Sequence, residues 1–471
     1  ILFDECEKLV QDVHYRDSIR EPMNDFFRFQ NKALISATPI VPEKDSRFDG
    51  FMRVLIQPDY VYRQKLKLIT TNNVLETLQD VIEAKRGTVC IFCNSIDSID
   101  SFYRLIPELS NACTFCSEDG QYKLWKGNRR KKSMMITELE RYNFFTSRFY
   151  SAVDILCKNP PHVIFVSDLY GAAQSVIDPA TEAILIIGRF RGGVNSVTHI
   201  ASIRPELECM SSSEIDHWIQ GASTIFNGWK AQLARTTNIG ERTLLQEAIG
   251  ENSYLPYLDE NGKPDSFLIA NFYEKEQVKR LYTSADLLHL AYEQTGYFVF
   301  SHEERLMPVS DNERMAIQHR LAKKKRAELI VRKLEEMEKM SKATDKKIQK
   351  RYQRMLMNLI TSTADRYIYD CFCRFGAEFV READYNENKL RTALNVSSEH
   401  TIKKSGQMRT YIQRAFPVGA EISVQEAKSM LRQVYKKMGL NTGRGITTKE
   451  LEQYAEIENS RNGEARMIKI L

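Results

Sequence analysis

Asp4 and Glu5 stand directly after the apolar run Ile1-Leu2-Phe3, and Cys6 and Glu7 follow them. An Asp at a strand end can hold Mg²⁺, and a Glu beside it, reaching the metal only through water, can polarise that water for attack on a γ-phosphate. Further on, Ala33-Leu34-Ile35-Ser36-Ala37-Thr38-Pro39 sets two small hydroxyls at the end of a second apolar run. On the same sheet, Ser36 and Thr38 could relay the state of a phosphate through hydrogen bonds. A different chemistry is suggested by Cys90-x-x-Cys93 and Cys113-x-x-Cys116, which have nearly the spacing of a zinc ribbon. The first pair, however, lies in Val89-Cys90-Ile91-Phe92-Cys93, a strand-like run in which positions 90 and 93 point to opposite faces. Reduced core thiols without a metal are therefore expected.

The elements that would position these residues follow from periodicity. Short strands are expected at 1–3 and 32–35, joined by a helical stretch, and a new strand at 64–70, where apolar and polar residues alternate. Helices at 72–85 and 96–109 alternate with strands at 87–93, 112–116, 142–147, 162–167 and 183–187. That alternation predicts a parallel, doubly wound α/β sheet over about residues 60–200. After residue 205 the pattern changes. Residues 206–310 read as mixed, with a hairpin loop at Asp259-Glu260-Asn261-Gly262, and 311–385 as almost wholly helical, broken at 341–345. Near the end, Ser423-x-x-Glu426 and Thr447-x-x-Glu450 are capping-box patterns. In the first of these helices Val424, Ala427, Leu431, Val434 and Met438 form an apolar stripe that stops at Gly439, while Lys428, Arg432 and Lys436 line another face. Two packed helices with surface lysines and a helix-turn-helix reader both fit this pattern.

Taken together, Asp4-Glu5-Cys6-Glu7 and Ser36-Ala37-Thr38 resemble motifs II and III of superfamily 2 helicases (the DEAD/DEAH-like group), in the order that family has. Three later segments extend the resemblance over residues 1–195. Cys90-Ile91-Phe92-Cys93-Asn94-Ser95 is similar to motif IV, Phe145-Thr146-Ser147-Arg148-Phe149-Tyr150-Ser151-Ala152-Val153-Asp154 to motif V, and Ile187-Gly188-Arg189-Phe190-Arg191-Gly192-Gly193 to motif VI. The local signatures Ser-Arg-Phe-Tyr-Ser and Gly-Arg-Phe-Arg look like those of replication helicases of phages and mobile elements of gut bacteria.

The resemblance implies two RecA-like lobes with ATP and Mg²⁺ in the cleft between them. Asp4 would hold Mg²⁺, Glu5 would activate water, and Asp154 and Gly188 would face the nucleotide. Arg189, and with it Arg191, would neutralise charge on the γ-phosphate from a strand-to-helix corner. Ser36, Thr38, Asn94, Ser95, Thr146 and Ser147 would couple nucleotide to nucleic acid. The chain departs from the family at three positions: Ala152 stands where motif V usually has Gly, Leu185 where motif VI usually opens with Gln or His, and Gly192 where its second arginine usually lies. No Gly-x-x-x-x-Gly-Lys-Ser/Thr phosphate loop occurs in the chain. It is expected upstream of Ile1, since the opening residues read as the middle of a strand.

The composition, 42% hydrophobic and 27% charged, is that of a globular chain with no run of apolar residues long enough to span a membrane. Net charge is only +5, but residues 320–354 hold 14 Lys/Arg against 5 Asp/Glu. Lys323, Lys324, Lys325 and Arg326 head that excess, and are expected to supply most of the sequence-independent affinity for a polyanion. A solvated helix face is the alternative. Tyr122-Lys123-Leu124-Trp125-Lys126, running into Arg129-Arg130-Lys131-Lys132, reads as a loop that could stack bases and grip phosphates, or as a plain solvated loop.

The expected organisation is a remnant of a first RecA-like lobe (1–50), a second lobe (51–205), a mixed accessory region (206–310), a basic helical region (311–395) and a small helical module (396–471). The expected function is that of a nucleic-acid-dependent ATPase, a DNA helicase or translocase of phage or mobile-element replication, in the cytoplasm and alongside other replication proteins. DNA is favoured over RNA on the resemblance alone. The alternative is a non-catalytic nucleic-acid-binding or scaffolding protein with a decayed motor.

Overall fold

The computed structural model describes residues 1–125, 131–136, 138–151, 153–307, 309–341, 346–440, 445–462 and 465–471. The chain divides into two compact units, Ile1–Met315 and Ala316–Leu471.

The first unit is built on an eight-stranded sheet in which every pairing is parallel. Two short strands precede it, β1 (Leu2–Asp4) and β2 (Ala33–Ile35), themselves a parallel pair. The sheet comprises β3 (Gln64–Thr71), β4 (Val89–Phe92), β5 (Cys113–Phe115), β6 (Lys131–Ser133), β7 (Tyr142–Phe145), β8 (His162–Ser167), β9 (Ser196–Ser202) and β10 (Phe298–Arg305), in the order β10-β3-β9-β8-β4-β7-β5-β6. Strands β4 and β7 are buried at every position and β8 at all but its first, as expected where helices cover both faces. One face packs a core around Phe92, Phe145, Phe165 and Ile186, and the other a core around Leu78, Ile91, Phe102 and Phe144. The α/β reading of 60–200 is therefore correct.

Three features differ from the sequence-based expectation. Residues 183–187 are not a strand but lie in the helix Glu182–Gly188. Strands β8 and β9 are parallel neighbours, so the chain between them must cross over a sheet face, and this apolar segment is the crossover. A short buried apolar run does not reveal by periodicity which it is. Second, the sheet does not close at residue 205. Strand β9 lies just before that point, and β10, deep in the supposed accessory region, joins β3 at the sheet's edge. Residues 203–297 thus form a long crossover within the unit, with helices Ser212–Arg235, Ile239–Gly250, Ser266–Leu281 and Ala285–Gln294. Its Asp259-to-Gly262 segment is a tight turn closed by a single antiparallel bridge, Leu258 to Pro264, with Gly262 at φ +71°. Third, β6 occupies part of the expected basic loop. Tyr122 and Lys123 lie in the helix Glu118–Trp125, and 126–130 are outside the described residues.

The second unit is helical over Lys323–Ser341, Lys346–Ser362, Arg366–Glu382, Glu387–Lys403 and Gly406–Ala415. The expected break at 341–345 falls largely outside the described residues. The C-terminal module is not purely helical. It carries β11 (Glu421–Ser423), the helix Val424–Lys437, a 3₁₀ helix Thr448–Gln453, β12 (Ile457–Asn462) and β13 (Ala465–Ile470), with antiparallel order β11-β13-β12. The expected stripe is its core: Ala427, Leu431 and Val434 pack with Met408, Ile412, Leu451 and Ile468. Among the described residues no helix is long and apolar enough to cross a membrane.

Candidate functional site

Because β1 and β2 are parallel and in register from Leu2↔Ala33 to Asp4↔Ile35, their polar ends emerge side by side. Asp4 is exposed and accepts the Glu5 N–H on Oδ1 at 2.9 Å. Glu5 has φ +54°, a left-handed conformation uncommon outside glycine and held only where the surroundings impose it. The next turn buries Cys6 and Glu7 completely. Burial raises the pKa of Glu7 above the ordinary carboxylate value, against a smaller lowering by Ser36. Ser36 Oγ accepts the Thr38 N–H at 2.9 Å, and Thr38 Oγ1 is buried without a hydrogen-bond partner. Asp4, Glu5, Ser36 and Thr38, chosen on spacing, are thus brought together, and Glu7 joins them.

Arg189 reaches the same place. It caps the C-terminus of Glu182–Gly188, its Nε donates to Leu185 O at 3.1 Å, and its Nη1 lies 4.0 Å from Glu5 Oε1. Its side chain is only 12% exposed, so the guanidinium is directed inward. It sits at a helix end, not at the strand-to-helix corner expected of it. Arg191 points elsewhere: its Nε donates to Asp154 Oδ1 at 3.0 Å, with both side chains largely exposed. Arg191 and Asp154 therefore neutralise each other away from Glu5. Ala152 is outside the described residues, and Leu185 is a buried residue of the helix.

A polar junction that sequence reasoning missed holds these elements in place. Gln11 Nε2 donates to Thr181 Oγ1 at 3.0 Å and to Glu274 Oε1 at 3.1 Å, and Lys8 Nζ donates to Gln11 Oε1 at 3.0 Å. Thr181 in turn donates to Asp178, whose N–H donates to Glu182. The N-terminus of the helix that ends in Arg189 is therefore tied to the segment that follows Glu5. Burial raises Glu182 to about 8, against a lowering by the hydrogen bond from the Asp178 N–H, and Glu274 to about 7, to which the charge of Asp178 adds. Helix Ser266–Leu281 is the platform. Asp265, at its start, accepts from Arg20 at 2.8 Å, Asn271 donates to Val10 O, and Phe267 and Leu268 complete the core of Leu9, Val10, Phe26 and Phe48. No local pattern in the sequence signals partners this far apart.

At the C-terminal edge of the sheet, where open α/β sheets take their ligands, β4 and β7 end as direct neighbours, Phe92 beside Phe145. Asn94 and Ser147 therefore emerge close together, half-buried and exposed respectively. Ser95 is instead the N-cap of Ile96–Leu105, and Thr146 Oγ1 donates to Phe115 O. A second buried network lies deeper. Ser167 Oγ meets His199 Nε2 at 3.0 Å, Tyr292 OH meets His199 Nδ1 at 2.8 Å, and Ser167 also donates to Tyr282. Burial pushes His199 down to about 3, so it is neutral, and this network joins the long crossover to β8 and β9. Asp168 accepts from Ser98 and from the Gly171 N–H, and a Cβ at Gly171 would meet Asp168 Oδ2 at 2.2 Å, so a side chain there would push Asp168 out of this position.

Cys90 and Cys113 lie in one sheet core and Cys93 in the other, so the thiols are not gathered on one side. In the second unit three of the four leading cations are held by acids. Lys323 pairs with Glu387, Lys324 with Asp384 at 2.6 Å, and Arg326 with the buried Asp365 at 2.6 and 3.2 Å. Lys325 is exposed and makes no ion pair among the described residues. An open, mainly apolar groove of about 790 Å³ between Arg366–Glu382 and Glu387–Lys403 contains none of the residues named above. Comparison with protein-family models, curated proteins and solved structures finds no match for the chain.

Proposed function

We propose that this chain carries the water-activating half of a nucleic-acid-stimulated ATPase, a superfamily 2 helicase or translocase with RecA-like lobes, acting on DNA. The observation that carries the reading is the approach of Arg189 Nη1 to within 4.0 Å of Glu5 Oε1, across 184 positions of sequence, beside Asp4 and the Ser36–Thr38 turn. The residues present fit Mg²⁺: Asp4 Oδ2 has no protein partner among the described residues, and hard carboxylate oxygens suit that ion. Bound with ATP, Mg²⁺ supplies neutralisation of phosphate charge. Asp4 would hold it, and Glu5 would take a proton from the attacking water. Arg189 would neutralise the negative charge that develops on the phosphate. The glycine-rich phosphate cradle is not among these residues, and the reading assigns it to a preceding segment.

Replacing Glu5 by Gln keeps the shape but removes the base. In the protein extended to include the phosphate loop, Glu5→Gln should lower ATP hydrolysis by about 10²-fold or more while leaving binding of a fluorescent ATP analogue intact. Turnover within a few-fold of wild type would remove Glu5 from the mechanism. A second reading, a nucleic-acid-binding scaffold with a decayed motor, draws on the helix at Glu182–Gly188 and on the Arg191–Asp154 pair, both of which depart from what the resemblance implies.

A further inference from the structure

The C-terminal module runs helix Gly406–Ala415, β11, helix Val424–Lys437, 3₁₀ helix Thr448–Gln453 and the β12–β13 hairpin. Two arrangements of charge in it work against its own stability. On Val424–Lys437, Lys428, Arg432 and Lys436 succeed one another at i, i+4 and i+8, and like charges at that spacing repel along a helix. In the hairpin, Arg461 lies directly opposite Arg466, a cross-strand like-charge pair that costs stability. None of the five makes an ion pair among the described residues. Lys469 shows the contrast, since it faces Glu421 on one side and Glu458 on the other. Arg432, Lys436, Arg461 and Arg466 are exposed and Lys428 half-buried.

We infer that this module is a nucleic-acid contact, one that grips the phosphate backbone of duplex DNA without reading its bases. Four helical residues rise about 6 Å, so the row from Lys428 to Lys436 is about 12 Å long and faces about three phosphates of one strand of a duplex. The repulsion within the row, and between Arg461 and Arg466, is relieved when each cation meets a phosphate and releases a condensed counterion. Single strands are bound by stacking bases on exposed aromatic side chains. Among the described residues of Ala316–Leu471 no Phe or Tyr side chain is exposed, so the regular charge of a duplex is the better match. Base reading has no support in the short helix Thr448–Gln453. Glu450 turns inward to Lys403 and Tyr435, and Glu452 presents negative charge. The element order resembles that of winged helix-turn-helix modules, an analogy of topology; the inference rests on the charges and is independent of the ATPase reading.

The test uses the full chain without nucleotide, a blunt DNA duplex and the single strand of the same sequence. With Lys428→Gln/Arg432→Gln/Lys436→Gln, the slope of log affinity against log salt on the duplex should flatten by about two to three, and with Arg461→Gln/Arg466→Gln by about one to two. The loss should be larger on the duplex than on the single strand and the same for unrelated duplex sequences. Both variants should unfold at the same temperature as wild type or higher, since each removes like-charge neighbours. An unchanged duplex slope in variants that remain folded, a loss on the single strand equal to or larger than that on the duplex, or a loss confined to one duplex sequence would each overturn the inference.

Discussion

Helices Lys323–Ser341 and Val424–Lys437 are both basic, yet the fold treats their charge in opposite ways. The first brings acids from distant parts of its unit to its lysines and arginines: Glu387, Asp384 and Asp365 come from beyond the helix that follows it. Its own Glu335 takes Arg381 in return, so this helix is laced into a self-neutralising bundle. The second helix carries the same net charge, 4 Lys/Arg less 1 Glu against 7 less 4 in the first, and among the described residues no ion pair takes up its Lys428, Arg432 and Lys436. Net charge along a sequence therefore identifies where a polyanion could bind far less well than the fate of each charge in the fold. Buried or shared cations contribute to structure, and only those without a partner release counterions on binding.

The largest effect on this contrast is expected from Asp365, which is 2% exposed and holds Arg326 through two hydrogen bonds. Asp365→Ala leaves that guanidinium unpaired and partly buried, and should lower unfolding stability by about 2–4 kcal/mol in urea titration. A loss under about 1 kcal/mol would mean the pair is screened like a surface one. Next comes the salt dependence. Replacing Lys323, Lys324, Lys325 and Arg326 together by Gln should flatten the duplex salt slope by less than about one, because of the four only Lys325 makes no ion pair among the described residues. A change of two or more would place the main grip on this helix after all.

A smaller and slower change is expected with pH in the first unit. Glu182 and Glu274, raised by burial to about 8 and about 7, stay protonated in the folded state, whereas the unfolded chain ionises them near the ordinary glutamate value of about 4.3. Across roughly pH 5 to 8 the unfolded state thus holds fewer protons, so stability falls as pH rises. Glu182→Gln should flatten that fall, seen as a melting temperature that declines less between pH 5 and pH 8. An unaltered decline would show that Glu182 is not the group responsible.

What the sequence made legible divides along physical lines. Strands β4, β7 and β8 could be read because burial on both faces makes them continuous apolar runs. Strand β9 was missed because Ser196, Thr198, His199 and Ser202 give it a polar look, and its buried His199 is satisfied only by Ser167 and Tyr292, elsewhere in the chain. Strand β10 was missed because, as an edge strand, it ends in Glu303, Glu304 and Arg305. Asp4, Glu5, Ser36, Thr38 and Arg189 could be picked by type, spacing and resemblance. Their mutual orientation depends on Gln11, Thr181, Glu182 and Glu274, whose roles exist only once the chain has folded.

The two arginines of one short segment offer the most direct measurement. Arg189 is inward and beside Glu5, whereas Arg191 is outward and held by Asp154. In the protein extended to include the phosphate loop, nucleic-acid-stimulated ATP hydrolysis should fall by about 10³-fold in Arg189→Ala, the scale of a lost arginine that stabilises a phosphoryl transition state. In Arg191→Ala it should remain within a few-fold of wild type. Equal losses in the two variants, or hydrolysis unaffected by Arg189→Ala, would contradict the assignment of Arg189 and Glu5 to one catalytic site.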